Sequence, residues 1–160
     1  MIRRLLSAVL CAATISAAAQ STPAANYTDM WWNPSESGWG LSFAQHPGTN
    51  QVFAVWYIYD PREQGSAGEY KPLWIVMPGG TWNTPTSITG MVFVTNGVPF
   101  NQSGSHPQNT AVGSFTFNFT GTSNATFSYN IAAPAGLGPA DPAYNLPSMS
   151  GTKSIIRQSF

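Results

Sequence analysis

Alternation of apolar and polar residues in short segments is the feature that most constrains the fold. Residues 112–120 alternate Phe with Ser, Thr and Asn, and residues 126–131 alternate apolar side chains with polar ones. A period of two is typical of a β-strand with one face in the core and the other in water. No stretch of helical length after residue 19 shows a period near 3.6. The pattern therefore predicts an all-β protein.

Turn signals divide the rest of the chain into segments of similar length. Asn96-Gly97 is the strongest of these signals, and Asp60-Pro61 and Pro78-Gly79-Gly80 end two other apolar runs. Residues 98–111 and 132–151 are predicted to be loops, because they are polar or rich in proline and show little periodicity. The predicted strands are residues 28–32, 41–45, 51–60, 73–77, 87–95, 112–120, 126–131 and 153–160.

Strands that follow one another in the chain are usually neighbours in the sheet, so we expect an antiparallel meander of seven to eight short strands. Such a sheet must protect its two edges, by closing into a barrel or by folding into a sandwich. A small barrel is favoured over a sandwich, because the last strand lies at the C-terminus and can pair with the first.

The N-terminal residues read as a targeting segment. Arg3 and Arg4 precede a run of apolar and small residues that ends at Ala19, which predicts a signal peptide over residues 1–19. Ala25 is a possible later cleavage site. A polar, mobile leader over residues 20–27 and a single β domain over residues 28–160 would follow. We expect the protein to be secreted or periplasmic and not inserted in a membrane.

Composition restricts the partners. The chain has six basic and six acidic residues, only 8% of its length, and a formal net charge of zero. A neutral chain without a basic patch is a poor partner for nucleic acid or an anionic membrane. Its only cysteine, Cys11, lies in the predicted signal peptide, so the exported domain would have no disulfide. Leu10 before it is not the small residue that a lipoprotein signal requires.

Residues 31–40, WWNPSESGWG, are the most distinctive stretch. One interpretation is a tight turn: Asn33-Pro34 begins it, Ser35 and Ser37 bond the backbone, and the indoles fill the core. The other is a ligand site at the barrel mouth, in which indole faces lie beside the Glu36 carboxylate and desolvation raises its pKa. The predicted ligand-binding residues are Trp31, Trp32, Glu36, Trp39, Trp56, Tyr57, Tyr59 and Trp74.

Catalytic chemistry is weakly represented. His46 and His106 lie in separate loops, and no spacing typical of a metal site or cofactor motif is present, so we predict no metal, no cofactor and no catalytic residue. A glycosidase would need two carboxylates to converge among Asp29, Glu36, Asp60, Glu63, Glu69 and Asp141. An enzyme is therefore less favoured than a binding protein.

Five segments together resemble an uncharacterised secreted domain of proteobacteria with a WWNPxESGWG-like opening. They are residues 29–40 (DMWWNPSESGWG), 53–60 (FAVWYIYD), 71–77 (KPLWIVM), 125–129 (ATFSY) and 156–160 (IRQSF). The resemblance implies a secreted bacterial protein or an accessory module, and it brings no catalytic residue. The chain departs from that pattern in a longer loop at residues 61–70 and in the proline-rich residues 132–150.

Two functions remain open. The first is a non-catalytic module that binds a small ligand or a glycan through the aromatic residues. The second is a structural or protein-interaction module of the cell envelope or secretome, whose protein partner the sequence does not identify. An aromatic pocket beside a carboxylate would favour the first, and a flat apolar patch with a polar rim would favour the second.

Overall fold

A computed structural model describes residues 20–62, 70–104 and 108–159. The predicted signal peptide, Glu63, Glu69 and His106 lie outside these residues. The described parts of the chain form nine β-strands and no helix. The strands are β1 (Asp29–Trp32), β2 (Gly40–Gln45), β3 (Val52–Tyr59), β4 (Pro72–Met77), β5 (Thr81–Thr84), β6 (Ser87–Asn96), β7 (Gln108–Phe119), β8 (Asn124–Ile131) and β9 (Met149–Arg157).

Eight of these strands close into an antiparallel barrel, and β5 lies outside the ring as an extra strand paired with β6. The first and last strands pair, with Trp31 opposite Arg157. The ring is completed between β4 and β6, where Ile75 lies opposite Val94. The predicted all-β class, the small barrel and the pairing of the first strand with the last are confirmed.

The barrel interior is filled by side chains from every strand. Aromatic rings from β2, β7 and β8 meet edge to face at its centre, with Phe43 5.1 Å from Phe117 and Phe115 4.9 Å from Phe127 between ring centroids. All four rings are at most 1% exposed. An eight-stranded barrel is narrow enough for side chains to fill it, and buried side chains occupy the interior of this one.

Three strands differ from the prediction: β5 was not predicted, β7 begins at Gln108, and β9 runs from Met149 to Arg157 and not from residue 153 to 160. Residues 81–84 form β5, which follows the turn predicted at Pro78-Gly79-Gly80. β7 begins at Gln108 and not near residue 112, because its first residues pair with the end of β6. A bulge then interrupts this pairing beside Gly113, whose φ of 142° and whose position against the Asn130 carbonyl leave no room for a Cβ atom.

One end of the barrel carries the loops that follow β1, β3, β6 and β8. The proline-rich segment after β8 closes this end, because Ala143 and Leu146 are buried in the core. Arg62 ties the segment to the loop after β3. Its Nη1 donates to the carbonyl oxygens of Pro142 at 2.7 Å and Tyr144 at 3.0 Å, and its Nη2 donates to Asp60 Oδ2 at 2.6 Å.

The other end is closed by the residues before β1. Ser21 N donates to the Trp82 carbonyl at 3.0 Å, and Ala24 N donates to the Pro85 carbonyl at 2.7 Å. Tyr27 is 2% exposed and stacks on Phe119 with 3.7 Å between centroids. The leader predicted over residues 20–27 thus lies against the barrel and covers the free edge of β5. Nowhere in the described chain is there a helix with the length and apolar character needed to cross a membrane.

Candidate functional site

The loop between β1 and β2 is built by Asn33. Its Oδ1 accepts from Ser35 N at 2.9 Å, and its carbonyl accepts from Glu36 N at 3.1 Å, which together form a tight turn. The side-chain acceptor of this turn is therefore Asn33, whereas the sequence analysis assigned that role to Ser35 and Ser37. Gly38 then takes a φ of 90°, a left-handed conformation that suits glycine and reverses the chain before β2.

Glu36 accepts hydrogen bonds from three side chains. Its Oε2 accepts from Trp39 Nε1 at 3.1 Å and from Lys153 Nζ at 2.8 Å, and its Oε1 accepts from Asn33 Nδ2 at 3.1 Å. Glu36 therefore links its own loop to β9, which lies 117 residues away in the chain. An indole lies against the carboxylate, as the ligand-site interpretation expects, but the carboxylate is also paired with a cation from β9.

The ion pair lowers the pKa of Glu36. The hydrogen bond from Lys153 is the largest cause, burial opposes it, and the Trp39 hydrogen bond and the Lys153 charge reinforce the lowering. The same pair raises the pKa of Lys153. The raised pKa expected for Glu36 is therefore wrong, because a cation reaches the carboxylate and favours its charged form more than burial disfavours it.

A groove of about 300 Å³ lies beside this loop on the outer rim of the barrel. Tyr57 and Trp74 lie directly opposite each other on β3 and β4, and their rings meet at 81° with 5.9 Å between centroids. Trp74 is 60% exposed and Tyr59 57%. The groove is lined by Gly38, Trp39, Gly40, Tyr57, Ile58, Tyr59, Pro72 and Trp74.

Trp39 connects the groove to the barrel end. Its ring packs at 88° to Trp56 and also lies 6.5 Å from Phe127 between centroids, and both of these partners are core residues. Its indole N–H is held by Glu36, so the side chain is fixed at both its apolar and its polar end. A wall fixed in this way can present the same surface to a ligand without losing conformational entropy on binding.

The predicted site residues separate into two groups. Trp39, Tyr57, Tyr59 and Trp74 line the groove, and Glu36 contacts it through Trp39. The other three predicted tryptophans do not line it. They are Trp31, Trp32 and Trp56.

Strand alternation explains the difference. Trp31 and Trp56 are 1% and 7% exposed because they follow the inward positions of β1 and β3, whereas Tyr57 and Tyr59 follow the outward positions. Trp32 is 36% exposed on β1, opposite Ile156 of β9. The groove lies on the outer rim and not in the barrel mouth, because core side chains fill the interior.

Two residues at this site were not predicted from the sequence. Pro72 lines the groove at the start of β4, and Lys153 pairs with Glu36. Pro72 directly precedes the predicted strand 73–77 and shares the face of Trp74 by strand alternation, so its place beside the groove was predictable. Lys153 has no local signal, because it reaches Glu36 only when the barrel closes.

A polar cleft of about 440 Å³ lies at the barrel end that the proline-rich segment covers, and it contains Asp60 and Asp141. Both carboxylates are occupied by structural contacts: Asp60 binds the Arg62 guanidinium, and Asp141 accepts from Thr110 Oγ1 at 2.8 Å and from Ala143 N at 2.8 Å. The part of the chain that the structure describes holds no group of three or more His, Cys, Asp or Glu side chains placed to bind a metal ion.

Comparisons of this chain with known protein families, with characterised proteins and with solved structures found no match.

Proposed function

We propose that this protein is a secreted, non-catalytic module that binds a small ligand or a glycan in the aromatic groove. The convergence of Trp39, Tyr57, Tyr59 and Trp74 on one concave surface supports this proposal above all. Large rings left in water cost free energy, and tyrosine and tryptophan are enriched where an apolar face and a polar tip both contact a partner.

The shape and support of the groove agree with binding. Tyr57 and Trp74 form a corner with perpendicular walls, so a ligand can contact two rings at once. Trp39 is held by Glu36 and by the core, which gives the third wall a fixed orientation. Ligand sites combine such apolar walls with a few positioned polar groups.

Thermal-shift screening of residues 20–160 against a panel of glycans and metabolites, followed by titration of the hits, tests this function. Trp74→Ala should weaken binding about tenfold or more, the effect of losing one well-packed aromatic contact. Met91→Ala is the matched control, because Met91 is also 60% exposed but lines no part of the groove. Equal affinities in the two variants would remove the groove from consideration.

The second candidate, a structural or protein-interaction module, draws support from apolar side chains outside the groove. Phe53 and Met91 are 48% and 60% exposed on β3 and β6. Cross-linking of the exported protein in its host would distinguish the two functions. A protein partner whose capture requires Phe53 but not Trp74 would favour this second candidate.

A further inference from the structure

Two further grooves lie on the same outer side of the barrel as the aromatic groove. One has a volume of about 170 Å³. It is lined by Val76, Pro78, Phe93, Thr95 and Asn109. The other, of about 430 Å³, lies between the β2–β3 turn and Pro78 and includes Phe53 and Gln51. Pro78 belongs to both of these grooves.

Strand register makes the three grooves one continuous surface. Trp74 and Val76 are successive outward residues of β4, so the aromatic groove leads along this strand into the second groove. Val76 lies between Val55 of β3 and Phe93 of β6 in the register of the sheet. Side chains two residues apart on a strand, or opposite each other on neighbouring strands, are in contact range.

The chemistry of this surface is uniform. Among the lining residues that the structure describes, none of the three grooves contains Asp, Glu, Lys or Arg. The third groove includes His46, whose Nδ1 accepts from Gly48 N and Thr49 N within the β2–β3 turn. Neutral hydrogen-bonding groups stand beside the rings instead: Thr95 and Asn109 near Phe93, and Gln51 near Phe53. An occupant matched to this surface is uncharged and combines apolar faces with hydroxyl edges, and it repeats that combination over several units.

We propose that the outer face of β2, β3, β4 and β6 binds an extended, uncharged polysaccharide chain, with successive sugar units in the three grooves. A sugar ring offers C–H groups on its faces and hydroxyl groups on its edges, which suits a ring-lined groove with amide and hydroxyl side chains. This inference rests on the proposed function and deepens it, since it names the ligand class and extends the site beyond the aromatic groove.

The absence of charge in the grooves is the reason to choose a neutral polysaccharide over an acidic one. An anionic sugar would lose hydration on entering a groove without a cation to compensate for it. The succession of three grooves along one face is the reason to choose a segmented chain over a flat protein surface. A second copy of this chain is the competing occupant that the experiment must exclude.

The test is calorimetric titration of the protein with a disaccharide and a hexasaccharide from each of several neutral series, such as the cello-, xylo- and manno-oligosaccharides. A hexasaccharide should bind at least about tenfold more tightly than its disaccharide, because it fills more than one groove. Trp74→Ala should weaken both ligands, whereas Phe93→Ala should weaken only the hexasaccharide. Met30→Ala, exposed on β1 and outside all three grooves, should weaken neither.

The outcomes separate this inference from the proposed function. Equal affinities for short and long ligands, both lost in Trp74→Ala, would overturn the extended site and leave the aromatic groove standing. No binding by any oligosaccharide would overturn this inference, and a small-molecule hit that depends on Trp74 would then still support the proposed function.

Two controls keep the result interpretable. Because Phe93 is half-buried and Phe93→Ala could disturb folding, Asn109→Ala provides a second variant at the same groove, where the side chain is exposed. It should also weaken the hexasaccharide alone. Concentration-dependent dimerisation that Phe93→Ala or Phe53→Ser abolishes, observed by sedimentation, would assign the face to a second copy and overturn the polysaccharide proposal.

Discussion

Glu36 shows how a single residue can connect the core, a loop and a candidate site. Its carboxylate accepts hydrogen bonds from the side chains of Trp39, Lys153 and Asn33. The orientation of the Trp39 indole therefore depends on the ion pair between Glu36 and Lys153 of the last strand. Charge-assisted hydrogen bonds are stronger than neutral ones, but this pair is about one third exposed and water screens it. Its main effect is to position Trp39 and not to stabilise the barrel.

Glu36→Gln should therefore change the environment of Trp39 more than the free energy of unfolding. The amide keeps one acceptor oxygen but loses the attraction of Lys153, so the Trp39 indole N–H should exchange faster with solvent. Proton–nitrogen correlation spectra of the indole groups measure this directly, with the buried Trp31 as an internal reference. Lys153→Met should reproduce the effect, and unchanged Trp39 exchange in both variants would contradict a positioning role.

The pH dependence of the same resonance has a definite sign. Because the folded-state pKa of Glu36 is lowered, the ionised pair is present above the ordinary glutamate pKa and is lost as pH falls through the lowered value. The Trp39 indole signal should therefore stay constant from neutral pH down to about 4 and shift only below it. Glu36→Gln should abolish that transition.

At the scale of whole elements, the proline-rich segment after β8 depends on the contact between Asp60 and Arg62. Burial raises the pKa of Asp60. The hydrogen bonds and charge of Arg62, with a smaller contribution from Lys71, together lower it by more, so the net pKa is below its ordinary value. Arg62 in turn binds the carbonyls of Pro142 and Tyr144. The loop after β3 and the segment after β8 are therefore coupled through one carboxylate.

Asp60→Asn should lower the free energy of unfolding by about 2 kcal/mol at neutral pH, because a largely buried carboxylate then no longer pairs with Arg62. The contribution of Asp60 is present above its unfolded-state pKa and disappears as pH falls through its lowered folded-state pKa. The difference between variant and wild type should therefore shrink as pH falls below the ordinary aspartate pKa. Urea unfolding at neutral pH and at a pH below the ordinary aspartate pKa measures this difference.

Asp29→Asn is the control for this experiment. Asp29 pairs with Arg157 at 3.6 Å with 30% of its side chain exposed, so its removal should cost less than about 1 kcal/mol. An equal loss in the two variants, or an Asp60→Asn loss that is independent of pH, would show that the contact between Asp60 and Arg62 does not hold the proline-rich segment.

Elements with clear alternation were predictable, and short or aperiodic ones were not. β7 carries phenylalanine at residues 115, 117 and 119, and β8 carries Phe127, Tyr129 and Ile131 at alternate positions. A period of two needs no knowledge of the rest of the molecule. β5 has only four residues and is a strand because β6 lies beside it. Ala143 and Leu146 are core residues in an irregular segment, and no local pattern identifies such a contribution.

The candidate site was predictable to the extent that its residues lie on regular strands. Tyr57, Tyr59 and Trp74 are outward residues of β3 and β4, and the alternation of β3 also shows that Trp56 belongs to the opposite face. The tryptophan-rich stretch mixed residues of both kinds, because a turn places Trp31 and Trp39 in different environments. Contacts that join distant residues, such as Glu36 with Lys153, exist only in the closed barrel.

For the molecule as a whole, the two sides of the barrel differ in chemistry. The outer face of β3 and β4 carries Phe53, Tyr57 and Trp74, whereas the outer faces of β7 and β8 carry Ser, Thr and Asn. Hydroxyl pairs such as Ser128 with Thr152, 2.8 Å apart, connect strands on that polar side. The aromatic and the hydroxyl-rich outer faces therefore lie on different sides of the barrel.

Residues 21–27 cover the barrel end opposite the loops that follow β1, β3, β6 and β8. β5 pairs with β6 on one side only, and the backbone of Ser21 and Ala24 satisfies carbonyls on its other side. An uncovered strand edge invites pairing with another chain. These residues follow the predicted signal peptide directly, so cleavage near Ala19 would leave this cover on the mature protein, whereas cleavage after Ala25 would remove it.

A chain beginning at Gln20 should accordingly be more stable than one beginning at Asn26, by about 2 kcal/mol for the two backbone hydrogen bonds and the exposed edge. Urea unfolding followed by tryptophan fluorescence measures the difference. A chain of full mature length carrying Ser21→Pro and Ala24→Pro is the control, because it lacks the two N–H donors and should lose a similar amount. Equal unfolding midpoints in all three chains would show that the segment adds nothing to the barrel. The predicted cleavage near Ala19 would keep this cover, and the intact mass of the protein after export checks the cleavage site.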